Sequence, residues 1–140
     1  MLLSVIMFHT IETYALRTQI HNLDTLTNYL LTHKAKRIIL TTYNSLYWQT
    51  DNTPYITASS TKTSFQTLAL SRDLIRTYNE YAELEYGDTV RIYIKDCLLE
   101  DTMNKRYGNC GDLWTDSYVE AIKFGRKEAY IIYKKKGELR

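Results

Sequence analysis

The stretch Ser71-Arg-Asp-Leu-Ile-Arg-Thr-Tyr-Asn-Glu-Tyr-Ala-Glu-Leu-Glu-Tyr-Gly-Asp-Thr-Val-Arg-Ile-Tyr-Ile-Lys-Asp96 decides the fold class. Leu74, Ile75, Tyr78, Tyr81 and Ala82 fall at i, i+1, i+4, i+7 and i+8, the spacing of one helical face. Ser71 is placed to cap that helix, and Asp73 puts negative charge at its positive end. Gly87 ends it, because glycine takes the left-handed conformation without a Cβ penalty. The period then changes to two: Val90, Ile92 and Ile94 alternate with Thr89, Arg91, Tyr93 and Lys95. A helix feeding a half-buried strand is the expectation.

Working outward, Leu2 to Phe8 reads as a first strand, apolar on both faces. Leu23, Leu26 and Leu30 after Asn22 and Asp24 predict a helix of about three turns. Arg37 to Thr42 is a β-branched strand, followed by strands at Leu46 to Gln49, Tyr55 to Ser59 and Phe65 to Leu70. Cys97 to Leu113 reads as one long irregular loop, a kind of segment that often carries function. Ser117 and Glu120 form a capping box, and Ala129 to Lys135 closes the chain as a strand. The prediction is an α+β fold: residues 1–140 as a single compact domain, with a largely antiparallel sheet and about three helices packed on one face.

The chain has 140 residues and a net charge of +2, too small by itself to imply a nucleic-acid or membrane partner. Two cysteines exclude a disulfide scaffold, and no window is apolar enough to span a bilayer. The apolar start lacks a basic n-region and a small-residue cleavage site, so it is not read as a signal peptide. A cytoplasmic protein, not bound to a membrane, is expected. Thirteen tyrosines are unusual and suit half-exposed faces and interfaces.

Candidate chemistry is sparse. Asp96, Glu100, Asp101, Asp112 and Asp116 cluster near Lys105 and Arg106, but in no cation-binding spacing. Acidic loops are usually solvated, so neither a metal nor a cofactor is expected. Cys110 is a candidate nucleophile if a histidine reaches it, and His9, His21 and His33 are spaced as in no metal motif. His9, Ser59-Ser60-Thr61 and Glu128 stand in an order similar to that of NAD-clasping ADP-ribosyltransferases. The glycine that usually follows the histidine is missing there, and the likeness covers three positions without assigning the family. Arg126, Lys127, Tyr133, Lys134, Lys135 and Lys136 would make a basic, aromatic strip for single-stranded nucleic acid. Tyr43, Tyr47, Trp48 and Tyr55 make the best candidate patch for a protein partner or a second copy of the chain.

The leading expectation is therefore a small non-enzymatic binding protein acting through its tyrosines. Compact domains of this composition resemble accessory proteins of viruses and plasmids, including inhibitors of host systems. An enzyme using His9 or Cys110 is the alternative beside nucleic-acid binding.

Overall fold

In a computed structural model, residues 2–46 and 52–136 are described, with side chains from Thr10 onward. The chain divides into two compact units, Met1–His33 and Lys34–Arg140.

The first unit is one helix, α1 (Leu2–Thr32), which corrects the strand expected at Leu2 to Phe8. No glycine or proline stands before Pro54, so nothing in the local chemistry interrupts a helix here. Threonine hydroxyls that would otherwise compete with it bond back into the preceding turn, Thr18 to Tyr14 O and Thr25 to His21 O. At its end the His33 ring stacks on Tyr29, 4.0 Å between centroids. Leu16, Leu23, Leu26 and Leu30 are exposed. Among the described residues, no helix is long and apolar enough to cross a membrane.

The second unit is a closed six-stranded barrel, not an open sheet. Its strands are β1 (His33–Tyr43), β2 (Thr67–Leu70), β3 (Thr89–Ile92), β4 (Lys95–Thr102), β5 (Cys110–Trp114) and β6 (Lys127–Lys134). They follow one another around the barrel as β1-β5-β2-β4-β3-β6. The pairs β1·β5 and β2·β4 are parallel, whereas β2·β5, β3·β4 and β3·β6 are antiparallel. A closed barrel has an inside and an outside rather than two faces, and closure leaves no bare edge strand. The described residues contain two α-helices, not three: α1 and the short α2 (Tyr118–Phe124). α2 starts as expected, with Ser117 Oγ accepting from the Glu120 amide at 3.3 Å.

The barrel interior holds Ile38, Leu40, Leu68, Leu70, Val90, Ile92, Cys97, Leu99 and Ile131, all essentially inaccessible to solvent. Side-chain alternation then turns Thr41, Tyr43, Ala69 and Asp112 outward. Gly111 points inward, and a Cβ there would lie 2.7 Å from Ile38 Cδ1 and 3.2 Å from Leu70 Cδ2. Gly111→Ala is expected to cost about 1–3 kcal/mol by overpacking this core, read as a lower denaturation midpoint. An unchanged midpoint would mean that Ile38 and Leu70 yield freely.

The segment expected to be the central helix is mostly irregular. A single 3-10 turn, Arg72–Leu74, is followed by an extended Ile75 that bridges to Leu84. Two side chains explain the change. Ser71 does not cap, because its Oγ instead accepts from the Cys110 amide at 2.9 Å. Asn79 donates to Asp73 O and accepts from the Tyr81 amide, a local alternative to helical bonding. Leu74, Ile75 and Leu84 still reach the core, while Tyr81 is 86 % exposed. The strand that follows is shorter than expected: Ile92 pairs with Lys95, and Ile94 is in the turn, 99 % exposed.

Cys97 to Leu113 is not a loop. It contains most of β4 and β5, joined by residues 103–109. Its carboxylates occupy outward strand positions, which gives the same polar composition as a solvated loop. Tyr55 to Ser59 is turn, with one bridge from Ile56 to Lys62, and the strand expected at Leu46 to Gln49 lies largely outside the described residues. β1, β2 and β6 stand where strands were expected.

Candidate active site

Four neighbouring strands bring one row of residues into lateral register on the outside of the barrel. Thr41 pairs with Asp112, Asp112 with Ala69, and Ala69 with Asp101. Two strand spacings of about 4.8 Å put the Cα atoms of Asp112 and Asp101 about 10 Å apart. Ala69 lies between them, buried in a small apolar cluster with Met103 and Cys110 against which Tyr43 and Tyr107 pack.

Asp101 is in this row because of a bulge. Leu68 pairs with Leu99, yet Ala69 pairs with Asp101, so Glu100 is an extra residue in β4. Simple alternation from Cys97 and Leu99 would turn Asp101 into the barrel; the extra residue turns it outward instead. The segment around Thr57 closes over this row. The Ala58 amide donates to Asp101 Oδ1 at 3.0 Å, and the Ser59 amide donates to Glu100 O at 2.9 Å. From the other side, Met103, Asn104, Arg106 and Tyr107 of the β4–β5 connection complete the wall. They line a half-open cavity of about 760 Å³, in the size range of small-molecule sites.

The two carboxylates sit in different surroundings. Asp101 accepts three hydrogen bonds: the Ala58 and Thr102 amides on Oδ1, and the Tyr43 hydroxyl on Oδ2 at 2.7 Å. Asp112 accepts one side-chain bond, from Thr41 Oγ1 at 2.8 Å. Burial pushes the Asp112 carboxyl up to about 6 from its ordinary 3.8, Thr41 opposes the shift, and the charge of Asp101 adds to it. Burial also raises the Tyr43 phenol, reinforced by Asp101, so it remains a donor. The result is a half-buried carboxyl, Asp112, that takes up its proton about two pH units above an ordinary aspartate.

The residues singled out from sequence fall in separate places. Tyr43, read as part of a docking patch, is half-buried and bonded to Asp101 in the cavity wall. Tyr55 is exposed, and Tyr47 and Trp48 lie outside the described residues. Cys110 is buried, and its thiol donates to Gly108 O at 3.1 Å, which leaves no accessible nucleophile. His9 lies in α1, with its side chain outside the described part. Glu128 pairs with Arg37 at 3.1 Å, and Ser59 and Thr61 belong to a hydroxyl cluster with Thr57. Among the basic residues, Arg126 and Lys134 are exposed, Lys127 lies over Phe124, and Lys136 pairs with Asp88. Tyr133 is buried inside the barrel, with no ring face to offer a base. Among the described residues, no three potential metal ligands converge.

Asp101 and Asp112 stood in the sequence as members of an acidic cluster, and Thr41, Ala69 and Arg72 were not singled out. Alternation in Cys-Gly-Asp-Leu-Trp was a signal for Asp112, whereas in Cys-Leu-Leu-Glu-Asp-Thr it would have turned Asp101 inward, and the bulge that reverses this has no local signal. No protein-family model matches this sequence, and no curated protein matches it.

Proposed function

We propose that the barrel is an acid–base enzyme that cleaves glycosidic bonds in a glycan bound along the Asp112–Ala69–Asp101 row. The observation that carries this reading is the pair of carboxyl groups lining one cavity, of which Asp112 is raised by burial. Such pairs divide acid and base roles between them. Enzymatic cleavage of an acetal uses a proton donor and a second carboxylate that meets the positive charge developing at the anomeric carbon. In this scheme Asp112 gives its proton to the leaving oxygen as the C–O bond breaks. The Asp101 carboxylate stabilises the oxocarbenium-like centre. Water then adds to that carbon and returns a proton to Asp112. Tyr43, Thr57 and Asn104 supply the polar wall that hydroxyl-rich substrates match.

The test is the pH dependence of reducing-end release across a panel of soluble β- and α-linked polysaccharides. A general acid at about 6 predicts that kcat/KM falls about tenfold per pH unit above that value. Release from none of the panel, or a rate flat from pH 5 to 8, would remove the reading.

A further inference from the structure

We propose that α1 is one strand of a parallel, two-stranded coiled coil, so that two copies of the chain associate through it. This goes beyond the glycosidase reading and does not depend on it.

α1 runs for 31 residues, more than four heptads. From Thr10 to Thr32 its side chains are exposed, Tyr29 alone being half-buried. A helix alone in water is marginal, and most helical stability comes from packing an apolar stripe. The stripe here repeats at the coiled-coil period. Leu16, Leu23 and Leu30 recur every seven residues, and Thr13, Ile20 and Thr27 stand three residues before each of them. Spacings of three and four put these six on one seam, the threonines and isoleucine at a and the leucines at d. Leu16, Ile20, Leu23 and Leu30 are each more than half exposed. In the sequence Leu2, Ile6 and His9 continue the same spacing toward the start of the helix.

The residue types select a second copy of α1 as the cover. β-Branched residues at a with leucine at d favour two parallel strands. Thr13 Oγ1 donates to Thr10 O at 3.0 Å, so its hydroxyl is already satisfied when its methyl group enters the seam. Glu12 falls at g, and a parallel partner sets the e residue five positions on, Arg17, beside it. Twofold symmetry makes that opposite-charge pair twice. Leu26 and Leu31 stand in the same g-to-e relation two heptads later and widen the apolar contact. A helix lying on a membrane surface carries a basic polar face, whereas the charged side chains from Thr10 to Thr32 are Glu12, Arg17 and Asp24.

The experiment is light scattering of the whole chain, joined to cross-linking. At about 100 μM the wild type is expected to show twice the mass of the chain. Leu16→Glu combined with Leu23→Glu sets like charges across the seam and is expected to weaken association at least about 100-fold. Tyr14→Glu, off the seam, is expected to change it less than about twofold. Cys97 and Cys110 are buried, so a thiol introduced at position 16 is the accessible one. Leu16→Cys is expected to form an interchain disulfide on mild oxidation, because a parallel register sets each d residue beside its own copy. A wild-type monomer, a trimer or larger species, or an unchanged mass in the double variant would each overturn the assignment. So would equal weakening by Tyr14→Glu, or a Leu16→Cys chain that does not cross-link. A wild-type monomer that cosediments with phosphatidylserine vesicles would give the helix to a membrane surface instead.

Discussion

Asp112→Asn is expected to lower kcat about 10²–10⁴-fold while making the protein more stable at neutral and alkaline pH. The two effects have one origin. Folding places this carboxyl where ionisation is unfavourable, raising it to about 6 from 3.8. Above pH 6 both the folded and unfolded chains carry the group ionised, and the folded chain bears the full cost of that charge. As pH falls from about 6 through 4, the folded chain takes up its proton first and the cost disappears. An amide in the same place carries no charge, and its oxygen still accepts from Thr41. The variant should therefore be more stable by about 1–3 kcal/mol at pH 8 and equal to the wild type at pH 4. Denaturant titrations at those two pH values read the difference directly. A variant less stable than the wild type at pH 8 would show that Asp112 holds the fold rather than serving a reaction.

The other large effect is expected at Asp101, where the two obvious substitutions should part. Asp101→Ala leaves the Ala58 and Thr102 amides and the Tyr43 hydroxyl without their acceptor. Partly buried donors left unpaired cost about 1–3 kcal/mol each, so a loss of about 2–4 kcal/mol is expected after partial rehydration. The segment around Thr57 should also lose its anchor, read as faster amide exchange at Ala58 and Ser59. Asp101→Asn keeps an oxygen for both amides and offers its NH2 to the Tyr43 oxygen. It should fold with near wild-type stability and slow exchange, yet lose activity with the charge. Full activity in Asp101→Asn would show that the anion is not used, and equal stability of both variants would show that the three bonds hold nothing.

Physical reasons divide what could be read in the chain from what could not. β1, β2 and β6 were legible because Arg37 to Thr42, Phe65 to Leu70 and Ala129 to Lys135 combine β-branched side chains with period two. α2 was legible because its cap is local. The helix expected after Ser71 was not, because Ser71 and Asn79 spend their polar atoms on Cys110 and Asp73, choices made by tertiary partners. α1 was obscured by apolar residues that follow neither period cleanly at its start. The site was the least legible part. Asp101 and Asp112 lie on strands that each pair with β2 on opposite sides of it, and one of them reaches the row through a bulge at Glu100. Closure of the barrel and parallel pairing of distant strands are non-local, and no spacing in the sequence encodes them. The acidic composition of Cys97 to Leu113 was noticed; that its acids share one outward row became visible only with the register.

Asp112 titrates near 6 because of where the barrel buries it and because Asp101 stands across Ala69. Following the Asp112 side-chain carboxyl by NMR through a pH titration measures this directly. The account expects a midpoint near 6 that moves down when Asp101 is replaced by asparagine. A midpoint near 4 in the wild type, the same with or without the Asp101 charge, would contradict it.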